Sequence, residues 1–113
     1  IPGLIKGASK GKGLGIKFLR HIERTEILFH LVAGDSENII EDYNVIRKEL
    51  ENYNKQLLEK KEHVLITKSD LISEKKRKVI KNSFRDIKKE VLFISIYDLE
   101  SIQEVEKILN KLK

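Results

Sequence analysis

Three short stretches of the chain are almost wholly apolar: Ile27-Leu28-Phe29-His30-Leu31-Val32-Ala33, Val64-Leu65-Ile66 and Val91-Leu92-Phe93-Ile94. None alternates with polar residues, so each is expected to be a strand covered on both faces, as in a parallel sheet flanked by helices. Helical periods fill the intervals. Ile39, Tyr43, Ile46, Leu50, Tyr53 and Leu57 recur at steps of four and three, one apolar face of a long helix. Asp35 or Ser36 is placed to cap its start. Val79, Ile80, Phe84 and Ile87 predict a second helix after Ser73. Ile102, Val105, Leu109 and Leu112 predict a third, with Ser101 and Glu104 spaced as a capping box. Ile16, Leu19, Ile22 and Glu23 suit a shorter helix near the start. A loop and a helix, then three strand–helix pairs, predict βαβ units in an α/β, three-layer parallel-sheet domain. No repeat or linker interrupts 1–113. The chain reads as one domain, with an opening segment at 1–25 and the strand–helix units at 26–113.

Composition narrows this picture. With no Cys, the 113 residues hold no disulfide framework, thiolate metal site or Cys nucleophile. No apolar run approaches the roughly 20 residues of a membrane span. Charge is uneven: residues 1–25 carry +5, 26–56 carry −4, and 57–113 carry +4. Lysine outnumbers arginine 18 to 5, and the few aromatics lie mostly in the apolar runs. That pattern reads first as a solvated basic surface. An RNA-facing one is the alternative, although a dedicated reader usually adds arginine and exposed aromatics. Five of the six glycines and the single proline lie in the first fifteen residues, IPGLIKGASKGKGLG.

In open α/β sheets ligands bind beyond the carboxyl ends of the strands. The residues there are Thr67-Lys68-Ser69-Asp70 after the second run and Ser95-Ile96-Tyr97-Asp98 after the third. A carboxylate on such a loop can accept two parallel hydrogen bonds from the N1–H and exocyclic amine of guanine. Adenine would leave it unpaired. Lys68 has a stem long enough to lie over a base while its ammonium reaches backbone carbonyls. Thr67 brings a hydroxyl that ties the loop to a neighbour. The plainer reading is a helix-capping loop with Ser69 or Asp70 as N-cap.

The segment IPGLIKGASKGKGLGIKFLRHIERT resembles the stretch that follows the aspartate of Asp-x-Pro-Gly in the Obg family of P-loop GTPases. Gly3, Gly7, Gly11, Gly13, Gly15 and the Phe18–Thr25 stretch carry that likeness. EDYNVIRKELENYN resembles the family's next helix, Thr67–Asp70 its Asn/Thr-Lys-x-Asp motif, and Ser95-Ile96 its Ser-Ala pair. The resemblance implies a guanine nucleotide, GTP or GDP with Mg²⁺, at Ile1, Pro2, Gly3, Thr67, Lys68, Ser69, Asp70, Ser95, Ile96 and Tyr97. Gly3 would offer its N–H to the γ-phosphate, and the glycines after it would let a switch segment rearrange. Leu4 stands where many GTPases carry a water-orienting glutamine, which implies slow hydrolysis. Ser95 would brace the base-reading loop, and the Ile96 N–H would meet the guanine oxygen.

The chain also departs from the pattern. Gly-x-x-x-x-Gly-Lys-Ser/Thr, with its Mg²⁺ hydroxyl, occurs nowhere in the 113 residues. Lys6 and Lys10 replace residues often acidic in the family, and Ile96 replaces alanine. The resemblance therefore implies an N-terminally truncated G domain without its phosphate-loop half. Taken alone, such a piece is expected to hydrolyse no GTP, bind guanine weakly and self-associate through an exposed strand edge. It also implies a cytoplasmic protein whose partner is the large ribosomal subunit or its RNA. A non-catalytic basic RNA-binding module is the alternative. His21, His30 and His63 show no metal spacing, and His30 is expected to be a core residue. Glu41-Asp42 reads as helix N-terminal charge, and the Lys75–Lys81 run as a solvated helix face or an RNA contact.

Overall fold

A computed structural model describes residues 15–112. The elements are α1 (Gly15–Ile22), β1 (Ile27–Ala33), α2 (Ile39–Tyr53), a 3₁₀ turn (Lys55–Glu59) and β2 (Lys61–Thr67). A second 3₁₀ turn (Ser69–Leu71), α3 (Glu74–Asp86), β3 (Val91–Phe93) and α4 (Leu99–Lys111) follow. The order is the expected one, a helix and then three strand–helix pairs.

The ends of the elements differ from expectation where polar side chains intervene. The period carried through Leu57 predicts one continuous helix, but α2 stops at Tyr53. Asn54 is extended, and its side chain accepts from the Gln56 N–H at 3.0 Å, starting the 3₁₀ turn. Leu57 is nevertheless buried, so its side chain keeps the inward face although the helix does not reach it. Ser73 caps α3 as expected, accepting from the Lys76 N–H at 3.1 Å. Ile80 and Phe84 line the inner face of α3, whereas Val79 is 58% exposed and Ile87 falls beyond the helix end. The expected capping box of α4 is not made. Asp98 is the cap residue, and Ser101 lies inside the first turn, its hydroxyl donating to the Asp98 carbonyl at 2.7 Å. The inward side of α4 is Ile102, Val105 and Ile108, while Leu109 and Leu112 are exposed.

The strands form one parallel sheet in the order β1-β2-β3. In the β2–β3 register Val64, Leu65 and Ile66 lie beside Val91, Leu92 and Phe93. Of the three apolar runs, only that in β2 is buried on both faces. It has a strand on either side, whereas β1 and β3 stand at the ends of the order. Leu31 of β1 is accordingly 52% exposed, and β3 is half-buried throughout.

The described chain divides into two compact units. The first comprises 15–29 and Ile40–Glu62. Leu19, Ile22, Leu50 and Leu57 form its core, with Phe18, Leu28 and Ile46 packed against them. Its central polar feature is the fully buried side chain of Glu62. The Tyr43 hydroxyl donates to it at 2.6 Å and the Arg47 guanidinium at 3.2 Å. Burial, reinforced by that carboxylate, pushes the Tyr43 phenol well above the usual tyrosine range. The second unit comprises His30–Ile39 and 63–112 and contains all three strand-end loops. His30 is buried in β1, in keeping with a core role.

Candidate functional site

Ile1, Pro2, Gly3 and Leu4 lie outside the described residues, so the switch-segment expectations have no structural counterpart here. The remaining candidates, Thr67–Asp70 and Ser95–Tyr97, lie together in the second unit. The parallel, in-register pairing of β2 and β3 brings both loops off the sheet at the same end. Main-chain bonds join them: the Ile94 N–H donates to the Ile66 carbonyl at 2.8 Å, and the Ser69 N–H to the Ile94 carbonyl at 2.9 Å.

The two loops also meet through side chains. The Ser95 hydroxyl donates to Asp70 Oδ1 at 2.7 Å and accepts from the Tyr97 N–H at 3.1 Å. The Ser95 N–H is taken by the Ser101 hydroxyl at 3.0 Å. Ser101, anticipated as a helix cap, is therefore a support for the Ser95 turn. The Ile96 N–H stands outside this local network, and the Ile96 and Tyr97 side chains are 84% and 82% exposed. Asp70 thus presents an exposed carboxylate whose orientation is fixed through one oxygen. A carboxylate bound in this way keeps lone pairs for two further donors.

Lys68 sits in the left-handed backbone region, φ 57°, and Ser69 behind it is buried. Among the described residues its ammonium meets a carboxylate rather than the expected backbone carbonyls. It pairs with Asp35 at 3.3 Å, because the turn that ends β1 places that carboxylate within reach. Thr67 makes its tie to the neighbouring loop through its carbonyl, which accepts the Gly34 N–H at 2.9 Å. Gly34 has no room for a side chain, since a Cβ would lie 2.5 Å from that carbonyl oxygen and 2.2 Å from Ile72. Asp35, one of the two residues expected to cap α2, is thus drawn toward Lys68. Ser36 accepts from the Asn38 N–H at 3.2 Å, just ahead of the helix.

Two residues in the basic run of α3 also belong to this arrangement, contrary to the reading of that run as a solvated face. The Lys76 ammonium donates to the Gly34 carbonyl at 3.0 Å and the Ser36 carbonyl at 3.4 Å. Arg77 donates to the Ser69 carbonyl at 3.0 Å and lies 5.3 Å over the Phe93 ring. A trace of this was present in the sequence. Lysine and arginine directly after a Ser cap oppose the positive end of the helix dipole, and their presence there points to acceptors elsewhere. Among the described residues no group of three His, Asp or Glu side chains could hold a metal ion. No described helix is long and apolar enough to cross a membrane.

No family model matches the chain. Individual proteins do, along almost all of it. A GTPase Obg of Rickettsia bellii is 41% identical over 109 residues, covering 96% of this chain and 33% of its own length. GTPase Obg of Rickettsia prowazekii is 45% identical over 109 residues, with the same coverage. GTPase Obg of Mycoplasmopsis agalactiae is 44% identical over 120 residues, covering the whole chain and 28% of its own length. The chain thus spans about a third of the length of these relatives.

Proposed function

We propose that this chain is the base-reading part of a guanine-nucleotide-binding GTPase of the Obg family, whose members it resembles at 41–45% identity along almost all of its length. Asp70 accepts from the N1–H and amine of guanine, Ser95 fixes the carboxylate, and the Ile96 N–H meets the guanine oxygen. The Lys68 stem lies along the base plane, with Thr67 and Ser69 shaping the loop and Tyr97 bordering it. Ile1, Pro2 and Gly3 belong to the phosphate side of the same site, and Leu4 makes hydrolysis slow because it cannot orient a water. Mg²⁺ accompanies the nucleotide with ligands other than the described residues. The protein works in the cytoplasm, in ribosome assembly or stress signalling, with the large ribosomal subunit as partner.

The observation that most supports this reading is the Ser95–Asp70 hydrogen bond of 2.7 Å, which aims an exposed carboxylate at the strand ends. Its test is Asp70→Asn in the protein at its full natural length. An amide presents a donor where guanine needs an acceptor. Guanine-nucleotide affinity should fall about ten- to a hundredfold, the scale of a charge-assisted hydrogen bond, while xanthine nucleotides gain. An unchanged preference for guanine over xanthine would show that Asp70 does not read the base.

A further inference from the structure

Among the described residues two non-glycine positions hold a left-handed backbone, and both are lysines: Lys68 at φ 57° and Lys88 at φ 60°. The first lies in the candidate site. The second closes α3, where the Lys89 N–H donates to the Phe84 carbonyl at 2.9 Å and the Lys88 N–H to the Arg85 carbonyl at 2.9 Å. Helices that end in this pattern usually place glycine where Lys88 stands, because a side chain there is strained. Strain of that kind is a pointer to a use for the side chain.

Lys88 is exposed and borders a concavity of about 520 Å³ together with Lys81, Arg85 and Lys89, the remaining wall being Glu90 and Val91. Lys81 and Arg85 are four residues apart and share a face of α3. Residues 74–90 hold eight Lys/Arg and three acids, an excess of five that equals the net charge of the whole chain. Cations in the last turn of a helix offset its dipole, which accounts for Arg85. That effect explains neither a lysine in a glycine position nor a concavity ringed by four cations. The concavity adjoins the first residue of β3, whereas Ser95 and Tyr97 follow the other end of that strand, so the two surfaces are separate.

We propose that this concavity binds the phosphate groups of a nucleic-acid strand. Arg85 offers a fork of donors to one phosphate, and Lys81 and Lys88 supply point charges beside it. An extended polyanion fits better than a compact one, because exposed Lys78 continues the row along α3. At 1.5 Å of rise per residue, Lys78 and Arg85 stand about 10 Å apart along the axis, a length that spans successive phosphates. None of the described lining residues is aromatic, and the nearby Phe93 ring is covered by the Lys81 ammonium at 5.8 Å, so the strand's bases find no stacking platform and binding is indifferent to sequence. Charge and shape carry this assignment, and Asp70 plays no part in it.

The test measures binding of a fluorescent, unstructured RNA oligonucleotide to the full-length protein across a salt series. Lys88→Gly should leave the melting temperature equal or higher, because glycine suits the left-handed backbone. The same change should weaken RNA binding and flatten the slope of log affinity against log salt by about 0.7 for each phosphate no longer neutralised. Lys81→Glu with Arg85→Glu should weaken it further. Asp70→Asn should leave it unchanged, which separates this result from the fate of the guanine reading. RNA binding by Lys88→Gly with unaltered affinity and slope would overturn the proposal. Inorganic tripolyphosphate displacing the labelled RNA as effectively as the unlabelled oligonucleotide would show a compact-phosphate site and refute the nucleic-acid assignment.

Discussion

Glu62 loses all its solvent on folding, and the Tyr43 hydroxyl and Arg47 guanidinium take the place of that water. Removing one donor from a buried carboxylate leaves part of its desolvation uncompensated. Tyr43→Phe should therefore cost about 1–2 kcal/mol of stability in urea unfolding near neutral pH. The same residue sets a limit at high pH. Burial, then the bond to Glu62, raises the Tyr43 pKa above its unfolded value of 10.0. Its contribution is complete below that value and is lost as pH rises from there toward the folded value. Tyr53, raised through its hydrogen bond to Glu23, acts with the same sign. Alkaline destabilisation should thus be shallower in Tyr43→Phe than in the parent but not abolished. An equally steep decline in the variant would mean that Tyr43 is not the group that titrates.

At the scale of elements, the turn after β1 shows how little room joins the strands to the candidate site. A Cβ on Gly34 would lie 2.5 Å from the Thr67 carbonyl oxygen, which is backbone and cannot rotate away. Gly34→Ala should cost about 1–3 kcal/mol as overpacking. By displacing Thr67 it should also weaken guanine-nucleotide binding. Parent-like melting and affinity would show that the turn adjusts freely. This turn also marks where sequence reading stops. The three strands were legible because apolar runs record burial, and Thr67–Asp70 and Ser95 because short polar clusters follow those runs. The end of α2 and the support for the Ser95 turn were not. Asn54 and Ser101 act by local hydrogen bonds that leave no period in the chain. Lys76 and Arg77 left only the trace of cations at a helix start, since a basic run on a helix looks much alike whether its charged groups face water or carbonyls. Periodicity reports which side chains are buried, and says little about which backbone oxygens the polar ones reach.

For the whole molecule, the relevant feature is that the sheet order ends, among the described residues, on β1, an apolar strand with Leu31 half in solvent. An apolar side chain standing half in solvent on the end strand of a sheet offers another chain a contact, and a lysine in its place is the usual deterrent. We propose that two copies of the chain meet through the exposed Leu31 side chain of β1. The net charge of +5 opposes close approach of two copies, and added salt screens that repulsion. Association should therefore strengthen with ionic strength, the reverse of what the basic concavity predicts for RNA. Sedimentation across a concentration and salt series reads both features of this behaviour. The parent should shift from monomer to dimer as either rises, and Leu31→Lys should remain monomeric at the same concentrations. A parent chain that stays monomeric throughout, or a Leu31→Lys variant that dimerises as readily, would place the contact elsewhere or remove it.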